Sequence, residues 1–324
     1  MLLLLLPWLL SAGPAPADQV QFSAGQWTAL AAPTPGTPQG ELAMIRQALE
    51  AGRARRALKL ADRFVERHPE DAGVEEAMYL AGAAQMERGR YWQAYERFEK
   101  QISRFPAGEF LRRATAREAE IARAFLAGKR RLVWGLLPLP AAEEGISILE
   151  RVVGRVSGTD LAAQSLLAVA EYYYGHQRWQ EAALTYDRYV EMFAGQYETS
   201  GPEYLAALAL YRSFRGVSFE DTPLLEARQR FGAFAAKHPR HPQAGAAVAA
   251  INQIEDLLAE KDYRAGRFYE RVGRPEPAGF YYRLVGRLHS DSPWAAPAEE
   301  ALAELNLPAQ APLIREAPGV ESVP

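Results

Sequence analysis

The sequence contains no cysteine. That absence excludes a disulfide framework, a thiolate metal site, a thiol nucleophile and haem attachment through sulfur. It also leaves no thiol for N-terminal lipid attachment. A basic excess is missing too. The 37 Lys and Arg are balanced by 40 Asp and Glu, which speaks against nucleic-acid binding. Catalytic signatures are absent: there is no GxSxG elbow, P-loop, HExxH or GxGxxG. No cofactor is expected, and no enzyme activity. No apolar run approaches the ~20 residues that span a bilayer. What remains is a chain of 324 residues, 48% apolar and rich in Ala, Leu, Arg and Glu. That composition predicts a mostly helical protein.

The two ends read as separate from the fold. Leu2–Leu10 is apolar and is followed by Ser11-Ala12-Gly13-Pro14-Ala15-Pro16-Ala17. A short apolar run closing on Ala-x-Ala predicts a secretory signal over residues 1–17, although no Lys or Arg precedes the run. Residues 18–40 carry Pro33, Pro35 and Pro38 without periodicity and read as a disordered tether. Residues 306–324, with four prolines, read as a disordered tail.

Between them lies an internal repeat over residues 41–305. Six windows begin at Ala54, Tyr91, Ala142, Trp179, Leu224 and Pro275. Each has a small residue at +3: Ala57, Ala94, Gly145, Ala182, Ala227 and Ala278. At +7 stand Ala61, Phe98, Leu149, Tyr186, Phe231 and Tyr282. At +14 stand His68, Phe105, Val156, Phe193, His238 and His289. With apolar residues at +10 or +11, these offsets trace one face of an α-helix. A Pro at +15 stops three of the windows (Pro69, Pro106, Pro239). Gly52, Gly89 and Gly273, two residues upstream of a window, mark turns from a preceding amphipathic helix. The unit is helix, turn, helix, stop, and its shortest spacing of 37 residues is close to the ~34 of a tetratricopeptide repeat. The expected fold is all-α: a tetratricopeptide-repeat solenoid of five to six helical hairpins with a concave and a convex surface. The segment after Ser292 is the expected C-terminal cap.

Insertions interrupt the repeat. Residues 129–140 combine Lys129-Arg130-Arg131 with an apolar, proline-bearing loop that includes Trp134. The loop either packs over the third repeat or serves as a docking element for a partner or lipid headgroups. Residues 216–222 form a second loop, ahead of a helix start at Thr222-Pro223. Residues 242–273 are too long for one repeat helix and predict a long or bent helix projecting past the stack.

Three of the five histidines share the +14 offset at helix ends, which favours a structural or capping role. His238 and His241 could meet a metal but lack carboxylate or Cys support in sequence. Tyr173, Trp179 and Tyr186 fit core offsets, whereas Tyr174 points toward the concave side. The same register places Arg46, Tyr79, Met86, Glu118, Phe125 and Glu171 on that groove, a mixed polar and aromatic lining suited to an extended peptide.

The most specific stretch is residues 239–305. It contains Leu258-Ala259-Glu260-Lys261, Phe268-Tyr269 closing on Gly273, the aromatic run Phe280-Tyr281-Tyr282, and Ala298-Glu299-Glu300-Ala301-Leu302. These features resemble the BamD family of outer-membrane assembly lipoproteins, which are built from tetratricopeptide-like repeats. The resemblance implies a noncatalytic periplasmic scaffold at the inner face of the outer membrane. It implies that residues 252–288, with Arg271 and Arg283, face the periplasmic domains of the β-barrel insertase. It further implies that the groove around Tyr79 meets unfolded outer-membrane proteins. The missing lipid-bearing Cys and the 129–140 insertion depart from the family pattern. Peripheral membrane contact through the Trp134 loop is an alternative route to the membrane. A general periplasmic adaptor for envelope or peptidoglycan machinery is the other reading.

Overall fold

A computed structural model describes residues 20–23, 26–29, 34, 36–133 and 137–307. The signal-like segment, Trp134 and the tail beyond residue 307 lie outside the described residues. Two compact units are present. Among the described residues, one holds those up to Ile121 together with those of 130–140, and the other holds Ala122–Lys129 and those from Ala141 onward.

The first unit contains α1 (Pro38–Glu50), α2 (Ala54–Arg67), α3 (Val74–Glu87), α4 (Tyr91–Arg104) and most of α5 (Leu111–Leu126). Three details differ from the expectation. The stretch expected to be a tether carries an antiparallel hairpin, β1 (Val20–Ser23) with β2 (Gln26–Ala29), and α1 starts at Pro38 rather than residue 41. The Thr37 side chain caps α1 by accepting from the Gly40 N–H, which fixes that earlier start. The insertion expected to be a loop is also a hairpin, β3 (Arg130–Val133) with β4 (Leu137–Pro140).

In the second unit the last turn of α5 meets α6 (Ala142–Arg155). There follow α7 (Asp160–Gly175), α8 (Trp179–Phe193), α9 (Ser200–Ser213), α10 (Thr222–Lys237), α11 (Ala244–Arg271), α12 (Pro275–Leu288) and α13 (Ala295–Glu304). The fold is thus all-α and built of consecutive tetratricopeptide-type hairpins, with α13 as the expected cap.

The repeat register explains the core. All six +3 positions are buried, and five of the six +7 side chains are among the large fully buried ones or close to them. Small size at +3 admits the neighbouring helix. A Cβ on Gly145 would lie 2.8 Å from the Ala122 carbonyl oxygen, so only Gly fits there. At two repeats the +7 aromatic ring seats on a glycine of the preceding helix: Phe98 of α4 on Gly82 of α3, and Tyr282 of α12 on Gly266 of α11.

Turns within the hairpins are equally regular. Gly52, Gly89 and Gly273 take positive φ, and the next residue donates its N–H to a carbonyl five back, closing a Schellman turn. The α7–α8 turn uses Gln177 in the same place, at φ 59°. The returns between hairpins also repeat. The side chains of Asp71, His241 and Ser292 each accept from the N–H two residues on.

Helix α11 runs unbroken for 28 residues. It does not project past the stack as expected. Ala247, Ala250, Ile254 and Leu258 pack with α10, and Ala259 and Gly266 pack with α12. One helix therefore serves two neighbours in succession, which accounts for the extra residues in that repeat.

Candidate partner-binding surface

Sequence periodicity places two aromatics, Phe268 and Tyr269, side by side at the end of α11. A helix turns ~100° per residue, so both cannot face its partner. Tyr269 lies on α12, its ring stacked on Tyr281 at 5.6 Å and 10°. Phe268 is left 52% exposed, edge-on to Tyr269 at 5.5 Å. Phe280 adds an edge contact to Tyr281, and Arg274 lies over the Tyr269 ring. Val272 is also exposed, so the corner presents apolar surface flanked by Arg271 and Arg274. An aromatic, arginine-rimmed and partly desolvated patch has the composition of a protein-interaction hot spot.

The corner is rigidly supported. Tyr282 donates its hydroxyl to Glu270 at 2.5 Å while its ring fills the Gly266 seat. Burial first, then Glu270, raises the Tyr282 phenol above its ordinary value, so it stays a donor. At the other end of α12, His289 is buried between two carboxylates of α11, with Nδ1 2.8 Å from Glu255 and Nε2 3.8 Å from Asp262. Glu255 also accepts from Arg228 of α10, so one carboxylate links both neighbours of the long helix. Burial pushes the Asp262 carboxyl up to about 6, opposed by His289 and Lys261 and assisted by Asp221.

The +14 histidines hold helix pairs together. They sit at C-caps, as the spacing predicts, but their rings meet carboxylates on neighbouring helices rather than their own carbonyls. His68 faces Glu41 at 3.4 Å, and His238 faces Glu203 at 3.0 Å. In both repeats the preceding basic residue, Arg67 or Lys237, joins the same carboxylate. His241 is engaged as a turn acceptor. Among the described residues no group of three His, Asp or Glu gathers as a metal would need.

The predicted groove residues divide. In the first unit Arg46 makes a two-pronged bond to Glu76, 2.5 Å at each prong. Tyr79 packs on Phe98 and Phe110, and Arg117, raised above its ordinary value by Tyr79 and then Glu120, bonds Glu120. Met86 is half-buried. In the second unit Glu171 is exposed and Tyr174 half-buried, edge-on to Trp179 and Tyr186 with Arg212 over its ring. Arg271 is exposed at the aromatic corner, and Arg283 is half-buried on α12. Glu118 and Phe125 are corrections: both are buried and line no open surface. Tyr186 is core as expected, whereas Tyr173 and Trp179 are only half-buried.

Sequence reasoning missed the carboxylate partners of the histidines and the rungs between alternate helices. Arg97 bonds Asp62, Arg188 bonds Glu150 at 2.7 Å, and Arg230 bonds Asp187 at 2.5 Å. Their signal is present at fixed offsets: the acid stands at +8 of one window and the Arg at +6 or +9 of the next.

Among the described residues no helix is long and apolar enough to cross a membrane. No curated protein matches the chain. Solved structures similar to it include a tetratricopeptide-repeat protein from Parabacteroides merdae, at 10% identity over 83% of this chain and 98% of that one, with a TM-score of 0.37. A thermophilic repeat protein from Thermus thermophilus is 18% identical over 66% and 99%, with a TM-score of 0.30. The TPR2AB domain of yeast Sti1, solved in its pHSP90 complex, is 13% identical over 83% and 98%, with a TM-score of 0.28. The family model described as YfiO, outer membrane lipoprotein, matches residues 141–306. That span is just over half of the chain and includes the long helix, its aromatic corner and the cap, so the chain belongs to the YfiO outer membrane lipoprotein family.

Proposed function

We propose that this protein is a noncatalytic periplasmic scaffold for outer-membrane β-barrel assembly. The family description and the repeat fold support a protein-binding role in the envelope. The observation that carries the finer reading is the exposed aromatic corner of α11 and α12, which lies within the family-matched half. In this reading Phe268, Val272 and Arg271, backed by Arg283 on α12, dock the periplasmic domains of the barrel insertase. The surface around Arg46, Tyr79 and Met86, and that around Glu171 and Tyr174, meet extended segments of unfolded outer-membrane proteins. Residues 1–17 act as the export signal.

Affinity capture from intact cells, with the chain as bait, tests the proposal. Recovery of the barrel insertase, lost with Phe268→Asp, supports it. Recovery of peptidoglycan machinery in place of the insertase overturns it and favours a general envelope adaptor.

A further inference from the structure

The hairpin β3–β4 has no part in the docking role proposed above, yet it is built with care. Arg131 lies over the Trp92 ring of α4 at 4.6 Å, which fixes the base of the arm to a helix. Beyond that anchor all four residues of β4 are exposed, including Leu137 at 52% and Leu139 at 39%. Adjacent strand residues point to opposite faces, so both faces of β4 show apolar side chains to solvent: Leu137 and Leu139 on one, Pro138 and Pro140 on the other.

Two features say what covers it. The first concerns the backbone. Alternate residues of an antiparallel strand turn their N–H groups to opposite sides. Prolines at 138 and 140 remove the donors from one side, and a ladder with β3 requires the donors of the other. The outer edge of β4 therefore offers no N–H to an incoming strand, which blocks β-augmentation.

The second feature is charge. Residues 129–140 contain three basic residues and no acidic one, although Glu143 and Glu144 follow at the start of α6 and Arg131 is held over Trp92. Arg130 is exposed beside the apolar strand. A basic, apolar, donor-poor arm complements an anionic lipid surface better than it does a protein strand.

We propose that the β3–β4 hairpin is a lipid-contacting arm that binds bilayers containing anionic phospholipid, independently of any lipid anchor. Leu137, Leu139 and the prolines enter the interfacial region while Arg130 meets headgroup phosphates. Each basic residue near an anionic surface contributes about fivefold in partitioning, screened within about 8 Å at physiological salt.

The test is co-sedimentation of the full chain with vesicles of phosphatidylcholine containing about one third phosphatidylglycerol, and with phosphatidylcholine alone. Binding to the anionic vesicles is expected, with about fivefold loss for Arg130→Gln and at least tenfold loss for Leu137→Asp with Leu139→Asp. All three positions are at the surface, and an unchanged circular-dichroism melt verifies that the variants fold. Absence of binding to anionic vesicles, or binding that the hairpin variants leave intact, overturns the proposal. So does a hairpin variant that loses a protein partner in affinity capture while keeping its vesicle binding, since the arm would then be a protein-docking element.

Discussion

Gly266 offers the sharpest test of how these hairpins are packed. It lies within α11, where Ala is ordinarily better than Gly by about 1 kcal/mol. Propensity alone therefore predicts that Gly266→Ala stabilises the protein. The packing predicts the reverse. A Cβ at Gly266 would fall 2.4 Å from one carbon of the Tyr282 ring and 2.7 Å from the next, against an ordinary separation of about 3.5–4.0 Å. The ring has little room to retreat: it is almost wholly buried, its hydroxyl is held by Glu270, and Tyr263 lies 5.7 Å away. Overpacking of this kind costs about 1–3 kcal/mol, which outweighs the propensity gain in all but its lowest range. The expected net effect is a loss of up to about 2 kcal/mol, or a fall in Tm of up to roughly 8 °C. Gly232→Ala in the middle of α10 is the control, because nothing lies within 4 Å of its Cβ, and it should raise stability by about 0.5–1 kcal/mol. Chemical denaturation of both variants decides the matter. Removing the ring's bulk with Tyr282→Leu should make Gly266→Ala harmless in a double-mutant cycle. Equal stabilisation by both alanines would refute the seated-ring account.

Other expectations follow from the same geometry. The Asp262 carboxyl, raised by burial from 3.8 to about 6, favours the folded state when protonated. Its contribution is present below pH 4 and lost as pH rises to 6, up to about 3 kcal/mol, so Asp262→Asn should be the more stable form at pH 7.5 and should flatten the denaturation profile between pH 4 and 6. A wild-type and variant pair with parallel profiles would contradict this. Glu75 accepts from the Gln101 side chain and from the N–H groups of Glu109 and Phe110, so Glu75→Ala should cost about 2–4 kcal/mol in urea denaturation. Gln177 occupies the left-handed position that Gly fills in the α1–α2, α3–α4 and α11–α12 turns. Gln177→Gly should therefore gain about 1 kcal/mol, read as a higher Tm.

Much of this fold is written in local periodicity. The +3 and +7 positions announce the helix faces, and Gly52, Gly89 and Gly273 announce the turns, because each depends on residues close in sequence. Elements governed by contacts across the chain were hidden. Glu118 and Phe125 follow the register of groove residues, yet both are buried, Phe125 close to Gly145 of α6, and no pattern within α5 reveals that. The apolar and proline-bearing residues 130–140 signalled the end of a helix and a candidate docking loop, but not the hairpin, because strand pairing such as Arg131 with Leu139 leaves no alternating pattern here. Helix α11 looked like an overhang because its length exceeds one neighbour, and only the separate clusters with α10 and α12 show that two neighbours share it. At the candidate site, Arg271 was legible from the resemblance, whereas the exposure of Phe268 came from the competition with Tyr269 for one face.

The central claim is that the aromatic corner of α11 and α12 docks the periplasmic domains of the barrel insertase. Calorimetric titration of those purified domains into the full chain tests it directly. The account predicts saturable binding with a negative heat-capacity change, weakened at least tenfold by Phe268→Asp and unaffected by Leu137→Asp in the hairpin. Absence of binding, or binding that survives Phe268→Asp unchanged, would contradict it.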